Sequence, residues 1–279
     1  MSPPPETPGI EPCAVEAAAP FRALIDGPVD SAYDDPARLD ELRAIFCSEG
    51  YVRLPGLLTR EAMAIVRDEV RRLEPSARSR DFVMPGPETP RVMSVLGATQ
   101  LARESPALAM LYVHFELVRV VSSLAAAPVY CCGHPEELMV CNFLLSDGAT
   151  HGWHLDDPAY ALVVVLEAPG AGCGGMLEYI ADWDSVCARL GHDRRGPAAA
   201  AVAHAHAQGM VERAHHAADD AYLLRADRCL HRVAPLDDRS ARRVALNFAY
   251  EHTRVPAYGE SANALYGPAR VPQRGVADQ

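Results

Sequence analysis

The stretch HGWHLDDP, residues 151–158, sets two imidazoles, an indole and two carboxylates against the start of an apolar run, AYALVVVLEAP. Within it His154-Leu155-Asp156 is an H-x-D. In extended backbone, residues i and i+2 project to the same face, so one imidazole and one carboxylate can grip a single ion. Alone, such a triplet is more often a turn. A second imidazole, His231, stands 77 positions beyond His154 in CLHRVAPLDDRSARRVALNF, with Arg242 and Arg243 eleven and twelve positions further on. Two histidines and one carboxylate leave one face of an octahedral ion open, which suits Fe(II) working with O2. A structural zinc site asks for four closed ligands, usually with thiolate. The arginine adds a forked donor for a dicarboxylate. In RRVALNFA, strand parity sets Val244, Leu246 and Phe248 on an outward apolar face and Arg243, Ala245 and Asn247 on the inner one. Parity points to Arg243, with Arg242 kept as the alternative; two surface arginines at a strand mouth is the plainer reading.

These side chains need a frame. DPARLDELRAIFCSEG (35–50) carries Leu39, Leu42, Ile45 and Phe46 at helical spacing and closes on Gly50. After a short strand and turn, YVRLPGLLT, a second amphipathic helix runs over 59–75 with Thr59 as N-cap and Pro75 as stop. Residues 76–90 read as a Pro/Gly/Arg loop, and Ser105-Pro106 opens one long helix. Beyond Pro128 short β-rich runs alternate with turns, at 138–148, 159–169, 174–180, 221–226 and 242–252. Helices first and antiparallel strands afterwards predict an α+β fold, a sandwich or barrel flanked by helices. The expected organisation is an irregular arm over 1–30, a single domain over 31–252 and a tail over 253–279. Within the domain, 35–127 is helical support and 128–252 is the β core. Residues 191–220 form an Ala-rich insertion holding His192, His204, His206, His215 and His216. Their irregular spacing favours a solvated segment or a short helix over the domain, able to act as a lid, over a metal-binding tract.

Hydrophobic residues make up 49% of the 279-residue chain, enough for a sizeable core. A net charge of −11 without a dense Lys/Arg tract argues against nucleic acid as a partner. The N-terminus lacks a signal-peptide pattern, and the apolar run near 159–166 is too short to span a bilayer, so a cytoplasmic protein without a membrane partner is expected. Eight cysteines occur without a CxxC spacing, which reads as reduced thiols filling core.

With HLD (154–156), HRVAPL (231–236) and the Arg243 region in place, the chain resembles Fe(II)/2-oxoglutarate-dependent oxygenases with a double-stranded β-helix, or jelly-roll, core. The segments HGWHLDDPAYALVVVLEAP and GGMLEYI are similar to the branch of carrier-independent amino acid hydroxylases and halogenases typified by free-lysine halogenase. The resemblance implies His154, Asp156 and His231 as Fe(II) ligands, 2-oxoglutarate as co-substrate on Arg243 (or Arg242) with Asn142, and O2 as oxidant. It implies Arg91 and His151 for the carboxylate of a small, basic or cyclic amino acid, and Glu137, Asp157 and Asn247 for its amine-bearing end. Halogenases of that branch carry Gly in place of the ligand aspartate; Asp156 therefore implies hydroxylation, with succinate and CO2 as co-products. Ala249 stands where the lysine halogenases carry a hydroxyl, and the tail shows no match to their lid tryptophan. A carrier-bound substrate and a cupin-like metalloenzyme without 2-oxoglutarate remain the alternatives. Oligomeric state is open, a homodimer being one option.

Overall fold

The structure, a computed structural model, describes residues 21–266. Helices come first: α1 (Arg22–Asp26), α2 (Pro36–Glu49) and, after β1 (Tyr51–Pro55), α3 (Arg60–Leu73). The Asp35 and Thr59 side chains cap α2 and α3 by accepting from the Ala37 and Ala62 N–H groups. Gly50 ends α2 at φ +66°, a left-handed turn that suits glycine. The arm expected over 1–30 lies largely outside the described residues, though α1 at its end buries Leu24 completely.

Two expectations in this half are corrected. Residues 76–90 are not a loop: β2 (Arg78–Met84) pairs antiparallel with β3 (Thr89–Leu96) along its length. Among the described residues β2 has no second strand neighbour, so polar side chains can face outward from it while its backbone is satisfied by β3. The helix opened by Ser105-Pro106 is not continuous. Following α4 (Ala98–Glu104), the chain forms α5 (Pro106–Tyr112) and α6 (Phe115–Ala125), with His114 as the cap between them. The stretch Pro106–Ala125 is long and apolar enough by composition to cross a membrane, but its buried residues pack within the helical layer.

The remaining strands are β4 (Tyr130–Cys131), β5 (Met139–Leu144), β6 (Thr150–His154), β7 (Tyr160–Glu167), β8 (Leu177–Ile180), β9 (Glu212–Ala214), β10 (Asp220–Leu224), β11 (Leu230–Val233) and β12 (Arg243–Glu251). Helices α7 (Trp183–Leu190) and α8 (Ala199–Ala207) lie between β8 and β9, and α9 (Ser261–Leu265) follows β12. All pair antiparallel in the order β1-β10-β7-β12-β5-β3-β6-β11-β8-β9, with β2 on β3 and β4 on β12. The sheet curls through β3, whose Ser94–Leu96 end pairs with β5 while Arg91 and Val92 pair with β6. This is the expected jelly-roll core with helices outside it. Val244, Leu246 and Phe248 of β12 join the core shared with the helices. Ala245 meets Val163, Tyr179 and Tyr222 inside the curl, as strand alternation requires.

The insertion is less solvated than its composition suggests. Ala201, Val202 and Ala205 of α8 are buried against Trp153, Trp183 and Leu230. His216 is buried and hydrogen bonds Tyr51 Oη at 2.9 Å. Of the tail, Ala262, Leu265 and Tyr266 pack with Met84, Met93 and Val95. The seven described cysteines are free thiols, and Cys13 lies outside the described residues.

Candidate metal centre

β6 and β11 pair so that His154 stands opposite His231, with ring centres 4.1 Å apart. Asp156 follows just after β6, its N–H donating to Ala226 O at 3.0 Å. Its Oδ1 comes within 3.4 Å of His154 Nε2 and 3.9 Å of His231 Nε2, and one ligand atom from each residue lies within 4.8 Å of the other two. The second nitrogen of each ring is held: His154 Nδ1 to Gly152 O at 2.7 Å, His231 Nδ1 to Cys229 O at 2.9 Å. A carbonyl only accepts, so each Nδ1 carries the hydrogen and each Nε2 turns its lone pair to the centre. Burial, then the neighbouring His151 and His231, pushes the His154 pKa well down and keeps the ring neutral, the form that ligates metal. Burial raises the Asp156 carboxyl; a cation beside it acts the other way. Two neutral imidazoles and one carboxylate fit Fe(II) with an open face.

Gly152 lets β6, which carries His154, lie close against β3. A Cβ there would meet Pro90 O at 2.7 Å and Pro90 N at 3.0 Å. Gly152→Ala is expected to force β6 away from β3 and cost about 1–3 kcal/mol by overpacking, read as a lower urea midpoint, with weaker metal binding alongside.

The two candidate arginines part company. Arg242 points outward, its guanidinium held by Glu167 at 2.7 Å and Glu74 at 2.9 Å. It does not enter the curl, and the retained alternative is corrected on that ground. Arg243 is 3% exposed and faces inward, where one terminal nitrogen, Nη2, finds no hydrogen-bond partner. Tyr222, within electrostatic reach of this guanidinium, stacks on His216 with ring centres 4.4 Å apart. Asn142 on β5 stands opposite Ala245 of β12 and has a buried, unpaired Oδ1.

The expected substrate residues divide as well. Arg91 pairs in register with His151. It is 1% exposed, and its Nη1 donates to Thr89 Oγ1 at 3.0 Å while its Nε is unpaired. Burial pulls its pKa down to about 10. His151 stacks on His154 with centres 3.9 Å apart and has an unpaired Nε2. Glu137 and Asn247 each bury an unpaired acceptor. Burial first, then Asp156, Asp157 and Glu251, pushes Glu137 up to about 9. Asp157 differs: its carboxylate accepts from Arg195 Nη1 at 2.8 Å, Gly259 N at 2.7 Å and Ser261 Oγ at 3.3 Å. It ties the insertion and the tail together, so its carboxylate is already engaged.

Sequence reasoning missed Tyr222, Thr89 and Tyr266. Alternation in AYLLRA sets Tyr222 on the inner face and could have flagged it. Nothing local marks Tyr266, which the tail brings beside Asn142, within electrostatic reach of Arg91 and Asp156. A cleft of about 710 Å³ reaches Arg91 and His154 between the β2–β3 hairpin, the insertion at Arg195 and the tail at Gly259.

The family described as HalD, Halogenase D, matches residues 34–265. The chain belongs to the halogenase D family. No curated protein matches this family member. Its jelly-roll is similar to three solved structures. The epimerase SnoN in complex with Fe3+, alpha ketoglutarate and nogalamycin RO is 18% identical, with 86% of this chain and 93% of that chain covered at a TM-score of 0.61. AviO1 from Streptomyces viridochromogenes Tue57 is 16% identical, covering 79% and 97% at 0.58. HygX from Streptomyces hygroscopicus, with nickel and 2-oxoglutarate bound, is 15% identical, covering 77% and 88% at 0.53. At these identities the likeness is one of fold. This halogenase D family member joins that fold to a His-Asp-His triad of its own.

Proposed function

We propose that this protein is an Fe(II)- and 2-oxoglutarate-dependent hydroxylase of an unactivated C–H bond in a free, basic amino acid. The observation that carries the reading is the triad beside an inward arginine whose Nη2 has no partner. SnoN and HygX, similar in fold, hold iron or nickel with the oxo acid. When bound, the metal, 2-oxoglutarate and O2 together supply the oxidation: one oxygen atom enters the substrate C–H, the other enters succinate, and CO2 leaves.

The chain's own part is placement. His154, Asp156 and His231 would hold the metal. Arg243, with Tyr222 at its side, would pair with the distal carboxylate of 2-oxoglutarate, and Asn142 would donate to it from the neighbouring strand. Arg91 Nε and His151 Nε2 are buried nitrogens without a partner, which is costly unless an anion arrives. A free α-carboxylate satisfies them; a carrier-tethered thioester presents only a carbonyl. This favours the free amino acid over the tethered one. Glu137 and Asn247 offer acceptors for the cationic end. The Asp157 tie holds the insertion and the tail across the cleft, excluding water and fixing one substrate carbon near the metal. Hydroxylation is favoured over halogenation because Asp156 fills the coordination position that a halide needs.

Anaerobic addition of 2-oxoglutarate to the Fe(II) protein is expected to give a visible charge-transfer band. A cupin-like enzyme of another class gives none. A screen of free amino acids for substrate-stimulated succinate release, with mass detection of one added oxygen, then identifies the substrate. Succinate release stimulated only by carrier-loaded amino acids would overturn the free-substrate reading.

A further inference from the structure

Of the five histidines in the insertion, only His216 is buried, at 5% exposed. No role given so far uses it. It belongs to the turn that leads into β10. There Asp220 Oδ2 accepts from the Ala217 N–H at 2.9 Å, and the Asp219 N–H donates to Val165 O at 2.8 Å. Val165 stands opposite Ala245 of β12, two residues from Arg243. The turn therefore folds His216 back over the end of the curl where Arg243 points inward.

Two kinds of side chain line the inner face. Ala161, Val163, Val165 and Ala245 are small, whereas Tyr51, Tyr179 and Tyr222 of the same cluster are rings. Tyr51 lies 4.9 Å from Tyr179 and 5.8 Å from Tyr222, centre to centre. His216 continues the stack, 4.4 Å from Tyr222 and 6.1 Å from Tyr51. The 2.9 Å hydrogen bond between its Nε2 and Tyr51 Oη fixes the ring. Tyr222 is within electrostatic reach of both Arg243 and Asp156, which sets it beside the space that joins them. Burial, then Arg243 and Arg53, pulls the His216 pKa down to about 3, so its ring is neutral. Arg53 belongs to the rim, where it pairs with Asp220 at 2.7 Å. The imidazole thus stands between the buried Arg243 and the rim. Close-packed rings give way little, and a group pressed against them is penalised by overpacking.

We propose that His216 sets the length of the oxo acid that the site accepts: its ring, braced by Tyr222 and Tyr51, closes the inner face behind Arg243, so that a five-carbon dicarboxylate fits and a six-carbon one does not. The proposal rests on the 2-oxoglutarate reading above and goes beyond it. That reading names what holds the distal carboxylate; His216 limits how far from the metal that carboxylate can lie. The insertion thereby contributes to the co-substrate site as well as to the cleft.

The test is anaerobic titration of the Fe(II) protein with 2-oxoglutarate and with 2-oxoadipate, one methylene longer. Binding is read from the charge-transfer band without turnover, and circular dichroism confirms that each variant is folded. Wild type is expected to prefer 2-oxoglutarate by roughly tenfold or more, the scale of one methylene in a fitted pocket. His216→Ala is expected to shift that preference by roughly tenfold toward 2-oxoadipate, through tighter binding of the longer acid. If the Ala variant does not fold, His216→Asn shortens the side chain but keeps it polar, and is expected to shift the preference the same way by a smaller factor. His215, whose Nε2 meets Pro169 O at 3.3 Å, supplies the control: His215→Ala is expected to leave the preference unchanged. An unchanged preference in a folded His216 variant overturns the proposal. So does weaker 2-oxoglutarate binding with no gain for 2-oxoadipate, which would make the ring a support and not a wall. Equal wild-type affinity for the two acids also overturns it, and leaves the 2-oxoglutarate reading standing. No band with either acid in wild type removes both.

Discussion

Asp156→Ala is expected to lower substrate-dependent succinate release by more than about a hundredfold, beyond the ten- to hundredfold typical of losing a residue that merely orients a ligand. Fe(II) affinity falls with it, since two neutral imidazoles remain to hold a dication. The adjacent carboxylate cannot substitute: Asp157 is committed to Arg195 and to the Gly259 N–H. Asp156→Gly removes the same charge but opens a coordination position within reach of His154 and His231, which lie opposite each other whatever stands at 156. That variant is expected to lose hydroxylation yet give the 2-oxoglutarate charge-transfer band in the presence of chloride. The measurements are metal stoichiometry, anaerobic absorption spectra and product mass. Wild-type succinate release coupled to product in Asp156→Ala would end the triad reading, whereas loss of activity with unchanged metal stoichiometry would move Asp156 from ligand to another role.

How far the sequence discloses this arrangement depends on whether local rules act on the residue concerned. His154 and Asp156 are legible because both lie at the end of one extended segment, where spacing translates directly into facing. The convergence of His231 on them follows only from the β6–β11 pairing, and sequence gives strands without their partners. Parity separates Arg243 from Arg242 because β12 is regular and one of its faces is apolar. The β2–β3 hairpin escaped because ARSRDFVMPGPETP has the composition of a loop; as an edge strand β2 is held mainly by its backbone ladder with β3, so composition says little. The break at His114 interrupts a run whose apolar periodicity continues on both sides, and tertiary packing decides it. Asp157 was legible as a carboxylate near the metal but not as a tie, because Arg195 and Gly259 come from an insertion and a tail whose paths have no local signature. Tyr266 escaped for the same reason: it matters through what the fold brings beside it.

Arg243→Gln is expected to raise the KM for 2-oxoglutarate by roughly thirtyfold or more, since removing one partner of a buried charge pair costs upward of about 2 kcal/mol. The position is demanding for physical reasons on both sides. Arg243 is 3% exposed with an unpaired Nη2, so the protein bears the desolvation of a cation that its own groups do not fully compensate. A dicarboxylate entering from the metal side supplies the missing acceptor, and the forked geometry rewards two oxygens over one. Arg243→Lys keeps the charge without the fork and is expected to fall between wild type and Gln. Arg242 is the internal control. Its pairs with Glu74 and Glu167 lie on the outer face, with the arginine side chain 40% exposed. Arg242→Ala is expected to cost about 1 kcal/mol of stability or less and to leave the KM for 2-oxoglutarate unaltered. Steady-state kinetics with varied 2-oxoglutarate and saturating substrate, set beside urea melts of both variants, separates the two arginines. A larger KM effect at 242 than at 243 would mean that the inner face of β12 does not hold the co-substrate, and the proposed route of 2-oxoglutarate to the metal would fail with it.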